Sequence, residues 1–266
     1  MRRTRQPPPL PSPAHEGGRS AQARRVGASS FALSALGFAL LLWAMPALAP
    51  LFAWAFPAVQ PPIFPLESFF ALFLSHAGLV LLSSLAATAI AVAVGCFVTR
   101  PIGRDFRALA GALATIGQVI PPVAVLAIAV PILGYGEAPA FLALTLYGLL
   151  PILANTIAGL ESVPPALREA AQGIGLSPRQ ILTRVELPLA ASTILAGIRV
   201  SVVINIGTAA IGSTVGAVTL GTPIIDGLVG DKLPYVLQGA LVVGWFAILT
   251  DSAIALLDRR LRIGRG

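Results

Sequence analysis

FALFLSHAGLVLLSSLAATAIAVAVGCFV, residues 70–98, contains no Asp, Glu, Lys or Arg. A helix rises about 1.5 Å per residue, so roughly 20 apolar residues cover the ~30 Å of bilayer hydrocarbon. The stretch shows no two-residue alternation, and in lipid every backbone N–H and C=O must be bonded internally, so it reads as a membrane-spanning helix. Working outward, five further runs have the same character: residues 31–56, 109–133, 139–158, 189–212 and 236–257. The predicted fold is all-α, a polytopic membrane bundle of about six transmembrane helices.

Composition agrees. Of 266 residues, 56% are apolar and 11% charged, with a mean hydropathy of +0.86. Soluble chains carry roughly 45–50% apolar and about 25% charged residues, so a soluble enzyme is excluded, as is disorder over most of the chain. The single Cys96 excludes an intrachain disulfide framework, and two histidines, His15 and His76, give no His/Cys cluster for a metal.

The net charge of +7 tests the topology. With the N-terminus cytoplasmic, six spans return the C-terminus to the same side. The cytoplasmic segments then hold Arg2, Arg3, Arg5, Arg19, Arg24 and Arg25, then Arg100, Arg104 and Arg107, then Arg168, Arg179 and Arg184, and finally Arg259, Arg260, Arg262 and Arg265. That is 16 of the 18 basic residues; Lys232 lies outside and Arg199 lies within a span. The positive-inside rule accounts for the excess, so nucleic acid is not an expected partner, whereas membrane lipid is. Residues 1–30, rich in Arg, Pro, Gly and Ser, read as a disordered cytoplasmic tail, and 259–266 as a short basic one. Ala47-Leu48-Ala49 looks like a signal-peptidase site, but the apolar run continues through Trp54 and Phe56, which favours an uncleaved anchor.

The longest internal polar segment is residues 159–188. Ser162 reads as an N-cap or turn residue ahead of Pro164-Pro165, residues 166–172 have good helix propensity, and Gly173 and Gly175 stop the helix. Ser177-Pro178 starts a second helix with Ile181, Leu182 and Val185 on one face, and Pro188 marks the return to the membrane. A short helix held by glycine turns is shaped to be gripped by a partner.

Glu169-Ala170-Ala171, three residues, Gly175, nine residues, then Val185-Glu186-Leu187-Pro188 resembles the EAA loop of bacterial binding-protein-dependent ABC importers; Val185 for Ile is the departure. The flanks resemble the glycine betaine/carnitine/choline branch. They are Gln118-Val119-Ile120-Pro121-Pro122, Val130 to Gly136, Leu146 to Thr156, Ala196 to Arg199 and Ile206 to Ala209. That branch usually has Ile-Gly-Ala-Gly-Gly-Leu-Gly where this chain has Val215 to Gly221, a departure that bears on substrate.

The resemblance implies a type I importer permease over 70–258 in a bacterial inner membrane; the apolar run at 31–56 reads as an N-terminal transmembrane helix before it. Arg168, Glu169, Ala170, Ala171, Gly173, Gly175, Leu187 and Pro188 would form the ATPase-coupling loop. The chain has one lysine, Lys232, and no Gly-x-x-x-x-Gly-Lys phosphate loop, so no cofactor is expected in it. ATP and magnesium belong on partner ABC ATPase subunits. A second permease copy or paralogue and an external solute-binding protein complete the expected assembly. The expected cargo is glycine betaine, choline, carnitine or a similar compatible solute. The alternatives are another small polar solute such as an amino acid, or an ion-coupled secondary transporter, for which Asp251 is the sole, off-centre carboxylate.

Gln118, Asn155, Asn205, Thr208, Ser213 and Thr214 either line the translocation path or bond helices to one another. Arg199 and Asp251 lie roughly 10–15 Å from the cytoplasmic end of their spans and either pair or snorkel separately. His76 reads as a solvated interfacial histidine near the outer end of its span. Pro121-Pro122, Pro131 and Pro151 should kink or break their helices.

Overall fold

A computed structural model describes the backbone of residues 13–263 and the side chains of residues 29–259. The expected tail segments 1–12 and 264–266 lie outside the described residues. Helix α1 (Pro13–Ala44) takes in residues 13–30, read from the sequence as tail; the span and its approach form one helix. A 3₁₀ turn (Met45–Leu48) and α2 (Ala49–Ala55) follow, so Ala47-Leu48-Ala49 sits inside a helical stretch. Then come α3 (Phe69–Val98), α4 (Arg107–Val119), α5 (Pro122–Leu133) and α6 (Glu137–Glu161). The 159–188 loop supplies α7 (Pro165–Gly173) and α8 (Pro178–Ile181). A π-turn (Leu182–Glu186) leads into α9 (Leu187–Ala209), a 3₁₀ turn (Ala210–Val215), α10 (Thr222–Val229) and α11 (Leu233–Ile263).

Among the described residues, five helical stretches are long and apolar enough to cross a membrane, and α4 with α5 makes a sixth bent by 94°. The break has a local cause. A residue before proline is pushed out of the helical region, and Ile120, preceding Pro121-Pro122, is extended at ψ 125°. The span read as residues 109–133 is therefore two half-helices. Pro131 and Pro151, in contrast, lie inside α5 and α6 without ending them.

Helix α6 is the hub of the bundle, packed by α3 on one side and α9 on the other. Small residues set the approach, as expected where lipid provides no hydrophobic drive between helices. A Cβ on Gly197 of α9 would lie 2.6 Å from the Pro151 carbonyl oxygen of α6, and one on Gly148 would lie 2.6 Å from Ser201 Oγ. Helix α11 flanks α9, and α1 is held to it by aromatic packing of Phe38 on Trp245 and Phe246 and by Trp245 Nε1 donating to Ser34 Oγ (3.0 Å).

At the end of the bundle opposite the 159–188 loop, Gln238 is fully buried. It donates to the Pro62 carbonyl (2.8 Å) and accepts from the Phe64 amide (3.1 Å), while Tyr235 donates to the Pro61 carbonyl (2.9 Å). The connection between the first two spans is thus pinned to α11. His76 is a correction: it is fully buried, not solvated. Its Nδ1 accepts from the Leu220 amide (3.3 Å), which leaves Nε2 as the donor to the Ile206 carbonyl (3.1 Å) and identifies a neutral ring.

Candidate functional site: the 159–188 loop and the intramembrane ion pair

Local chemistry shapes the loop. Pro164 and Pro165 lead into α7, and neither brings an N–H that its start would leave unpaired. Of the two readings of Ser162, N-cap or turn residue, the structure shows the turn: it closes α6, its hydroxyl donating to the Gly159 carbonyl (2.8 Å). Helix α7 ends in a Schellman motif. The Leu176 amide bonds the Ala171 carbonyl (3.1 Å), the Gly175 amide bonds that of Gln172 (2.9 Å), and Gly175 sits at φ +84°. The stop belongs to Gly175 alone, because Gly173 is the last residue of the helix. The glycine at a fixed distance after Glu169-Ala170-Ala171 therefore meets a backbone requirement, a left-handed residue at the helix stop. Helix α8 opens with a reciprocal capping box between Ser177 and Gln180.

The residues of α7 divide by face. Glu169, Ala170 and Gly173 are exposed, whereas Ala171 is buried against the rest of the chain. The two alanines expected to admit a partner thus differ in place, Ala170 on the exposed face and Ala171 on the buried one. Arg168 points inward. Its Nε donates to Glu186 Oε1 (2.6 Å) and its Nη2 to the Leu160 carbonyl at the end of α6 (2.6 Å). Glu186 is 1% exposed, and Arg100, just past α3, brings Nη2 to 2.6 Å from its other oxygen. One buried carboxylate with two guanidiniums thus joins α3, α6, α7 and the root of α9. A second, exposed pair, Arg107 with Glu161 (Nη2 to Oε2, 3.0 Å), ties α4 to α6 nearby.

Pro188 does not start a new helix. Residues 178–215 form one helical stretch through the π-turn and on into the membrane. A proline ring crowds the carbonyl four residues back, here Arg184, and the wider π-turn over Leu182–Glu186 relieves that contact. Leu187 packs on a small cluster of Leu160, Ala190 and Ile194.

Glu186 is the residue that sequence reasoning passed over. It looks like any charge in a polar loop; its one distinguishing sign is its place directly before the apolar run that begins at Leu187.

Within the membrane, Arg199 of α9 and Asp251 of α11 meet in a two-pronged ion pair, Nε to Oδ1 and Nη2 to Oδ2, both 2.5 Å. Each side chain is about 40% exposed, at 40% and 41%, because grooves flank the pair. One of about 470 Å³ lies between α9 and α11, and one of about 350 Å³ is bordered by Ser34, Ser252 and Arg259.

Four of the six polar candidates for a path go to separate partners. Asn155 bonds the Pro151 carbonyl of its own helix (2.8 Å), and buried Asn205 joins α9 to Ser84 of α3 (3.2 Å). Ser213 meets Thr219 (2.8 Å) and Thr222 (3.2 Å), and Thr214 bonds the Ile211 carbonyl (2.7 Å). Gln118, one residue before the end of α4, and Thr208, near the end of α9, are half-buried.

A helical bundle with a broken third span, and a glycine-stopped helix carried on a polar loop, are the parts of an importer permease. Residues 91–263 match the family of binding-protein-dependent transport system inner membrane components, and the chain belongs to that family. It is similar to the osmoprotectant import permease protein OsmY of Salmonella typhimurium, 40% identical over 70% of this chain and 79% of that one. It is also similar to the choline transport system permease protein OpuBB of Bacillus subtilis, 41% identical over 65% of this chain and 82% of that one. Among solved structures, a chain of the MetNI methionine ABC transporter, inward facing, superimposes with a TM-score of 0.62 at 22% identity over 70% of this chain and 93% of that one. The fold is that of a type I ABC importer permease, and the chain is a multi-pass membrane protein with a transport role.

Proposed function

We propose that this permease passes a compatible solute, such as glycine betaine, choline or carnitine, across a bacterial inner membrane, driven by ATP that a partner ABC ATPase hydrolyses with magnesium. The observation that carries the solute class is the 40–41% identity to permeases named for osmoprotectant and choline transport. For the coupling role it is geometry: α7 presents Glu169 and Ala170 outward while Arg168 and Ala171 hold it to the bundle. A carboxylate and a small residue on an exposed helix allow an ATPase groove to close around it with few steric conflicts. The Arg distribution supports cytoplasmic termini and a cytoplasmic 159–188 loop. Two such chains, each bringing one α7 to one ATPase of a dimer, would enclose the path, with an external binding protein delivering solute to the opposite face.

Two measurements test this reading. Glu169→Lys should abolish co-purification of the ATPase subunit and uptake; full retention of both would remove the docking role. In a strain lacking its own betaine and choline uptake, the complete importer should confer osmotically stimulated uptake of labelled glycine betaine or choline. Uptake of an amino acid in their place would reassign the cargo.

A further inference from the structure

Helix α7 is thinly attached to the bundle it is proposed to move. Ala171 is its only buried side chain, and both ends are turns, Pro164-Pro165 before it and the Gly175 reversal after it. A displacement applied to its exposed face needs a stiffer route inward than those turns. Arg168 provides the side-chain route. It reaches the Leu160 carbonyl at the end of α6 and the Glu186 carboxylate at the root of α9, and Glu186 reaches on to Arg100 at the end of α3. Arg168 is held at two points by a planar guanidinium, and Glu186 is 1% exposed, so the carboxylate does not exchange its partners for water without opening the contact.

We infer that Glu186 is the positioning residue of the coupling machinery: through Arg168 and Arg100 it makes α7, the root of α9 and the end of α3 move as one body. The inference rests on the docking role proposed above and adds to it the group that transmits the motion. Glu186 does not touch the ATPase; it sets whether motion of α7 reaches the spans. Its loss separates two quantities that the docking residues change together. The ATPase still binds, because Glu169 and Ala170 are untouched, but hydrolysis no longer drives uptake.

The test uses the whole importer, with ATPase and binding protein, in proteoliposomes. Glu186→Gln keeps the size of the side chain and removes its charge; Arg168→Met keeps the stem and removes the guanidinium; Arg168→Lys keeps the charge. The expected result for Glu186→Gln and Arg168→Met is retained co-purification of the ATPase with solute taken up per ATP hydrolysed reduced at least tenfold. Arg168→Lys should restore at least a third of the wild-type ratio. Amide hydrogen exchange on the same complexes should rise at least fivefold over residues 166–176, while residues 189–209 stay as in wild type. A wild-type ratio of uptake to hydrolysis in Glu186→Gln overturns the inference, as does loosened exchange throughout α9, which would mark a general folding role. If the wild-type permease fails to retain the ATPase, the docking reading falls, and the exchange pattern alone decides whether Glu186 fixes α7.

Discussion

The ion pair between Arg199 and Asp251 allows a quantitative test of how much a polar contact holds two spans together. Surface pairs contribute about 0–1 kcal/mol, whereas removing one partner of a fully buried pair costs about 3–5 kcal/mol. Both side chains here are about 40% exposed to flanking grooves, at 40% and 41%, and the contact has two short bonds. An intermediate cost of about 2 kcal/mol for Arg199→Asp or Asp251→Arg follows. For a chain of this size, 1 kcal/mol corresponds to roughly 2–4 °C in the unfolding midpoint, so each single change should lower it by about 4–8 °C. The swap, Arg199→Asp with Asp251→Arg, re-forms the pair with its sign reversed and should lie within about 1 kcal/mol of wild type. The assay is thermal unfolding of the purified permease in lipid nanodiscs, with solute uptake by the assembled importer measured in parallel. If the swap costs the sum of the two singles, about 4 kcal/mol, the contact contributes nothing by pairing and the reasoning is refuted.

Three further changes probe other parts. Gly175 has open space around a built Cβ, so only its φ of +84° restricts it; Gly175→Asn should keep wild-type uptake and Gly175→Val should lose most of it, and equal behaviour would discount the turn. Gly197→Leu must enter space filled by the Pro151 carbonyl and Asn155, whereas Gly207 on the same helix meets nothing within 4 Å; the first should lower the unfolding midpoint by at least ~4 °C and Gly207→Leu by under ~2 °C. Gln238→Leu strands the Phe64 amide and Pro62 carbonyl, so limited proteolysis between residues 56 and 68 should accelerate; an unchanged cleavage rate would mean that loop is held by other contacts.

The spans were legible because lipid judges a segment by composition, and runs such as 70–98 meet that test without knowledge of neighbours. Pro121-Pro122 marked the break for a purely local reason, although the 94° bend depends on the packing of both halves on α6. Gly175 was legible too, since a helix stop is decided within six residues. Contacts made across long stretches of chain were not. Arg199 and Asp251 stood out as intramembrane charges, but their meeting joins positions 52 apart. His76 sits where an interfacial histidine would, and Leu220, 144 residues on, covers it. Glu186 shares a polar loop with Arg168, Glu169, Arg179 and Arg184, and only the packed π-turn distinguishes the buried carboxylate from the exposed one.

The stretch from Pro178 to Val215 is 38 residues of helix, about 57 Å of rod at 1.5 Å per residue. Its near end is rooted at Glu186; at its far end the Val215 carbonyl accepts from the Gly136 amide (2.7 Å), the turn between α5 and α6. A rod of that length acts as a lever. About 44 Å of that rod lies beyond Glu186, so a tilt of about 5° at the root carries the tip by roughly 4 Å, enough to detach that hydrogen bond. Motion too small to disturb the packing around Leu160 and Ala190 can therefore open contacts on the opposite side of the membrane.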